Sequence, residues 1–189
     1  MKKLFLTTLA LCCVAFVSCG KKGAESQAES KSEMQTKVEE FATVRLSANL
    51  DKLSAKEKEL VGVFLDIAQI MDDLYWLQAY GDKADMDTIS DKFTKEFAMI
   101  NYGPWERLND MKPFVNGFGE KPLGANFYPK DMTKEEFDAL KDKNKSSLYT
   151  VLRRDESGKL VVKWYREEYK EQINKVCELL DKAIGLAED

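Results

Sequence analysis

Thiols occur at four positions in this 189-residue chain, Cys12, Cys13, Cys19 and Cys177, and their settings imply different chemistries. Ahead of Cys19 the chain reads Lys2-Lys3, an apolar run from Leu4 to Val17, then Ser18-Cys19-Gly20, the basic, apolar and small-residue order of an export signal. The apolar run is about 14 residues, short of the roughly 20 that a membrane-spanning helix requires. Val17-Ser18-Cys19 has the form of a lipobox, although Phe16 stands where leucine is usual. It predicts cleavage before Cys19 and lipid on its thiol, an anchor worth about 0.8 kcal/mol per buried methylene. An ordinary secretory signal, which would leave Cys19 a free thiol, is the alternative. Cys12 and Cys13 depart with the signal, so a lipidated Cys19 leaves Cys177 without a partner for a disulfide within one chain. Cys177 falls in the apolar stripe of the last helical segment, where a buried, inert thiol is expected.

The sequence contains no histidine. That excludes Ser-His and Cys-His nucleophile pairs, imidazole acid-base catalysis and the common zinc sites. No three- or four-cysteine metal site can be assembled, and neither GxGxxG nor GxxxxGK[ST] occurs. Catalysis would rest on carboxylates, lysine or tyrosine. Asp72-Asp73, with Asp66 and Tyr75 nearby, invite comparison with a paired-carboxylate site. Neighbours on a helix point about 100° apart, however, so a solvated polar face accounts for both. Removing Lys2 and Lys3 from the 29 basic residues leaves 27 against 33 acidic ones, and no basic stripe is present to neutralise phosphates. Nucleic acid is therefore not an expected partner.

Between Asn101 and Lys130 glycines and prolines recur, interleaved with aromatic residues. Tyr102, Trp105, Phe127 and Tyr128 on such a frame would line a groove for a peptide or sugar, with Asn101, Arg107, Asn109 and Asn126 as hydrogen-bonding partners. Equally, the rings would staple the loop to a helical core, since a long connection inside a compact domain is usually functional or pinned by its own side chains.

The elements that position these residues are mainly helical. Residues 1–18 form the signal, and 19–37, rich in Gly, Lys, Ser, Glu, Gln and Ala, have the composition of a flexible tether. Residues 38–189 are one domain's worth. Ala42, Leu46, Leu50 and Leu53 suggest a helix over Val38 to Leu53. Ser54-Ala-Lys-Glu57 is a capping box, followed by Leu60, Phe64, Ile67, Met71, Leu74 and Gln78 on one face until Gly81. Ile89, Phe93, Phe97 and Ile100 define a third helix, begun near Asp87 or Thr88 and ended before Gly103-Pro104. Thr133-Lys-Glu-Glu136 caps a short helix through Leu140. Ser147 to Arg153 and Lys159 to Tyr165 read as a hairpin across the turn Asp155-Glu-Ser-Gly158. A last helix runs from Glu167 to about Leu186 with Tyr169, Ile173, Val176, Cys177, Leu180 and Ile184 on one side. The expected fold class is mainly α (α+β): a helical domain with one β-hairpin and a long aromatic Gly/Pro-rich loop.

The run Asn101-Tyr-Gly-Pro-Trp-Glu-Arg-Leu108, then Lys121-Pro-Leu-Gly-Ala-Asn-Phe-Tyr-Pro-Lys-Asp-Met-Thr-Lys-Glu-Glu-Phe137, then Ser147-Leu-Tyr-Thr-Val-Leu-Arg-Arg154, resembles the N-terminal region of bacterial dipeptidyl peptidase III-type zinc metallopeptidases, a Bacteroides-type lipoprotein branch. The helix from Phe64 to Trp76 and the segment Tyr169 to Asp189 fit the same pattern. Some members carry names borrowed from other enzymes. The resemblance implies a two-lobed, mostly helical peptidase with this segment in the lobe opposite the zinc. Members continue far beyond the equivalent of Asp189, and their zinc is held by a later HExxGH helix and a further glutamate, so no metal ligand or catalytic residue carries over to any position here.

The expectation is thus a truncated or fragmentary dipeptidyl peptidase III-like lipoprotein, not catalytically competent alone and holding no cofactor itself. It would be anchored at Cys19 in the bacterial cell envelope, in the inner or outer membrane, with the catalytic part of such an enzyme as a possible partner. The alternatives are a stand-alone envelope lipoprotein that binds a peptide or protein through Tyr102, Trp105, Arg107, Asn126, Phe127 and Tyr128, and a purely structural envelope lipoprotein.

Overall fold

The computed structural model describes residues 31–188. Cys19, the signal and most of the tether lie outside the described residues. Where composition suggested tether through Lys37, a short helix α1 (Glu33–Glu39) forms, N-capped by Ser32, whose hydroxyl accepts from the Gln35 amide. The helix expected over Val38 to Leu53 is absent; residues 42–50 are irregular and largely exposed. Ala42, Leu46 and Leu50 fall at helical spacing, but no cap precedes them and Val44 and Leu46 find no apolar surface to cover.

The central element is α2 (Ala55–Ala79), begun by the Ser54/Glu57 capping box, in which each side chain satisfies the other's backbone amide. One apolar face was expected on it. Instead it serves two cores, because Leu74 and Trp76, two positions apart, point about 200° apart around the axis. Leu74 meets Val151 and Tyr169 in one core, and Trp76 meets Met86 and Ala98 in the other.

A 3₁₀ segment (Lys83–Thr88) follows and buries Met86. Helix α3 (Lys92–Asn101) is N-capped by Asp91, so Ile89 precedes it, and the expected start at Asp87 or Thr88 is corrected to a residue beyond the Asp91 cap. The loop after α3 carries a two-residue ladder that the sequence did not signal, β1 (Trp105–Glu106) with β2 (Lys112–Pro113). Lys37 on α1 donates to both carboxylate oxygens of Glu106 at 2.8 and 2.9 Å, tying α1 to that ladder.

Helix α4 (Lys134–Ala139) has its Thr133/Glu136 capping box. The antiparallel hairpin of β3 (Thr150–Arg154) and β4 (Leu160–Trp164) closes on the Asp155 turn. There the Asp155 carboxylate accepts from Ser157 and Lys159, and Gly158 takes φ +79°. Arg154 donates to Asp131 and to both oxygens of Glu136, binding the hairpin to the start of α4. The last helix is in two parts, α5 (Tyr165–Glu168) and α6 (Lys170–Leu186), with Tyr169 at φ −111°, ψ 36° between them. α6 packs lengthwise along α2. Among the described residues the architecture is mainly α with two small antiparallel ladders. Among the described residues no helix is long and apolar enough to cross a membrane.

Candidate functional site

The aromatic loop begins where α3 ends. Tyr102 adopts the left-handed conformation (φ 54°, ψ 44°) and Gly103 follows at φ +139°, where a Cβ would press on the rings of Trp105 and Tyr80 at 3.4 Å. That reversal returns the chain to α2. The Tyr102 ring meets Tyr75 edge-on at 4.7 Å between centroids and lies 5.1 Å from Trp76. Its hydroxyl donates to Asp72 Oδ1 at 2.6 Å, and that bond, with partial burial, pushes the phenol's pKa up. Trp105 is buried, donates from Nε1 to the Gly119 carbonyl at 2.8 Å and packs against Tyr80 and Phe118. Tyr80 is held protonated, its pKa pushed up to about 12 by burial and by its hydrogen bond to Asp85.

Arg107 is exposed, and its guanidinium lies over Tyr75 and Tyr102 at 5.9 and 5.8 Å from their centroids. Lys121 sits 5.6 Å over Trp105 with Met111 Sδ 3.9 Å away, and burial and then the Arg107 charge push its pKa down. Asn101, suggested as a ligand contact, is buried, donates to the Phe97 carbonyl and accepts from the Arg107 amide. Asn109 donates to Glu106.

The second half of the loop faces the other core. Asn126 Nδ2 donates to the Leu77 carbonyl at 2.6 Å, and the backbone carbonyl of Asn126 accepts from Arg153 at 3.1 Å. Phe127 packs against the core of Leu74, Val151 and Tyr169. Tyr128 meets Phe137 edge-on and lines a cavity of about 470 Å³ with Pro122, Gly124, Pro129 and Met132. The six candidate residues therefore divide. Tyr102, Trp105 and Arg107 gather against the C-terminal half of α2; Asn126 and Phe127 join α2 to β3; Tyr128 stands at a separate hollow. The hydroxyl of Tyr102, the indole N–H of Trp105 and the side-chain amide of Asn126 each donate to a group of the chain itself.

Asp72 and Asp73 do not form a paired-carboxylate site. Asp72 receives Tyr102 and lies 3.7 Å from Lys83, whereas Asp73 accepts from Gln69 and lies 4.0 Å from the same lysine. A purely solvated role fits Asp73 and is corrected for Asp72, which anchors the loop. Cys177 is corrected too: it is exposed. It lines a groove of about 310 Å³ between α2 and α6, with Met71, Leu74, Tyr75, Ile173 and Val176. The sequence concealed that groove because its apolar stripes read as buried core. Zinc, which the resemblance implies, finds no fitting donors here: the chain has no histidine, and among the described residues no three Cys, Asp or Glu side chains cluster to hold a metal ion.

No family model matches the sequence. Two solved structures share the fold. Dipeptidyl-peptidase III from Caldithrix abyssi is 34% identical with a TM-score of 0.72, over 80% of this chain and 31% of that one. Dipeptidyl-peptidase III from Corallococcus sp. strain EGB is 28% identical with a TM-score of 0.73, over 82% and 32%. A curated relative, Nudix hydrolase 3 of Arabidopsis thaliana, is 26% identical over 141 residues, covering 55% of this chain and 18% of the plant protein. The chain thus spans about a third of the solved structures it matches and under a fifth of that relative. Over about four fifths of its length it is dipeptidyl-peptidase III-like in sequence and fold.

Proposed function

We propose that these residues make up one part of a dipeptidyl-peptidase III-like peptidase, held to the cell envelope by lipid at Cys19, and that they do not hydrolyse peptides by themselves. The observation that carries the reading is the 34% identity and TM-score of 0.72 to a bacterial dipeptidyl-peptidase III. The internal bonding of this chain agrees with a scaffolding role: Trp105 closes the loop on Gly119, Asn101 ties the end of α3 to the Arg107 amide, and Asn126 fastens the loop to α2 at Leu77. Zinc and peptide-bond chemistry would come from protein outside these residues.

The test is an immunoblot of the native host's envelope fraction with an antibody against residues 38–189, joined to an assay of the purified chain for zinc and for dipeptide release. The expected result is a band, or a tightly associated partner, that carries zinc-dependent dipeptide release, while the purified chain shows neither. A single band near the mass of these 189 residues with no associated peptidase, or dipeptide release by the purified chain, overturns the proposal.

The hollow beside Tyr128 favours a second reading, a stand-alone envelope lipoprotein binding a peptide or protein segment there. Its apolar walls are Pro122, Pro129, Met132 and Phe137, with Lys130 and Lys134 at the rim. Saturable binding of a peptide library to the purified chain, abolished by Tyr128→Ala, is the outcome that reading requires.

A further inference from the structure

The two flanks of the α2–α6 pair differ in chemistry. On α2, Glu59, Asp66 and Asp73 recur every seven residues along one flank, where Lys182 of α6 closes on Glu59 at 2.9 Å. The opposite flank carries Phe64, Met71 and Tyr75 of α2 and Cys177, Leu180 and Ile184 of α6. Phe64 and Met71 are about half exposed and Ile184 is 73% exposed. Between them runs the 310 Å³ groove. At its margin the Tyr169 hydroxyl is buried without a hydrogen-bond partner, Gln78 lying alongside without a bond of normal geometry. Exposed apolar side chains scattered singly need no explanation, but a continuous strip along two packed helices marks an interaction surface.

Charge at the rim narrows the occupant. Arg107 stacks on Tyr75, one wall of the groove, and has no carboxylate within 4 Å among the described residues. Arg153 and Arg154, by contrast, are each paired with carboxylates. An apolar segment bearing an acidic residue would fill the groove and meet the guanidinium. The extent of the match supplies its source, since about two thirds of each solved structure sharing this fold lies beyond the portion this chain spans. We propose that the apolar α2–α6 flank is a docking surface, covered by the remainder of a dipeptidyl-peptidase III-like architecture through an apolar, acid-bearing segment against Tyr75 and Arg107. This rests on the function proposed above.

Cys177 reports on the surface directly. Iodoacetamide labelling at Cys177, mapped by mass spectrometry, is compared between native host envelopes and the purified full chain. Labelling in the envelope is expected to be slower by about tenfold or more, as for a site that must open before it reacts, and to be restored by denaturation. Phe64→Glu or Met71→Glu, both at exposed positions, should leave the purified chain folded by circular dichroism while restoring labelling in the envelope. Equal labelling in both preparations shows an open surface and overturns the proposal. Slow labelling of the purified chain overturns it as well, because the flank would then be closed by the chain itself or a second copy. A photo-crosslinker carried on Cys177 identifies the occupant: a crosslink to peptidase sequence outside these residues supports the proposal, and one to a second copy or an unrelated protein refutes it. The function proposed above fails separately, on the immunoblot and dipeptide release.

Discussion

The Tyr102 hydroxyl donates to Asp72 Oδ1 at 2.6 Å, joining the left-handed end of α3 to the last third of α2. Its strength comes from the charged acceptor and partial burial; its cost is the αL backbone of a non-glycine residue, roughly 1–2 kcal/mol. Tyr102→Phe should destabilise the fold by about 1–2 kcal/mol, the range for losing a bond to a charged group at a half-buried site. Asp72→Asn should cost less, and the double variant little more than Tyr102→Phe alone. Urea unfolding of the four proteins measures the coupling, and fully additive losses would refute it.

Asn126 tests the two readings of the loop against each other. With its side-chain amide donating to Leu77, Asn126→Ala should lower stability by about 1–2 kcal/mol through the orphaned Leu77 carbonyl, while the backbone carbonyl that accepts from Arg153 is kept. Thermal unfolding with and without candidate peptides decides the matter. A variant with native stability and lost peptide affinity would make Asn126 a ligand contact.

Gly124 sits at φ +76°, and a Cβ there would fall 2.2 Å from the Tyr128 ring. Gly124→Ala should therefore destabilise by about 1–3 kcal/mol, combining left-handed strain with overpacking. It should also turn Tyr128 away from Phe137 and reshape the adjoining hollow. Stability with a crystal structure of the variant checks both; an unmoved Tyr128 would contradict the geometry.

The Lys37–Glu106 pair makes the docking of α1 sensitive to acid. The hydrogen bond from Lys37 holds the Glu106 carboxyl below its usual range in the folded protein. A depressed folded value means that this contribution is full above the unfolded carboxylate pKa of about 4.3 and is lost as pH falls through the lower folded value. Hydrogen exchange of the α1 amides should accelerate as pH drops below about 4, after correction for intrinsic rates. Glu106→Gln should show the released state already at pH 7. Protection of α1 that is unchanged in that variant would exclude the pair as its anchor.

How legible each part was depends on the range of the interactions involved. Both capping boxes and the Asp155–Gly158 turn were readable, because each is closed by groups within four residues of one another. The β1–β2 ladder was not: two residues per strand, one of them Pro113, carry no alternation to detect. The helix expected over Val38 to Leu53 failed for the opposite reason, since helical spacing without a cap or a surface to cover does not stabilise a helix in water. Of the loop candidates, the sequence named residues that matter, but the partners that commit them, Asp72, Leu77, Gly119 and Arg153, come from other segments.

By itself the sequence determined the donor inventory, with no histidine for acid-base or zinc chemistry, together with the helix starts, the hairpin turn and a mainly α class. Tertiary structure alone decided which apolar residues became core. α2 is flanked by different elements on two sides, so Leu74 and Trp76 are both buried while Phe64 and Met71, on the expected core face, stay exposed. It likewise placed Cys177 at the open groove rather than inside. The physical reason is that caps and turns are satisfied by their own segment, whereas burial is a property of two surfaces, and a single helical stripe does not state which surface comes to meet it.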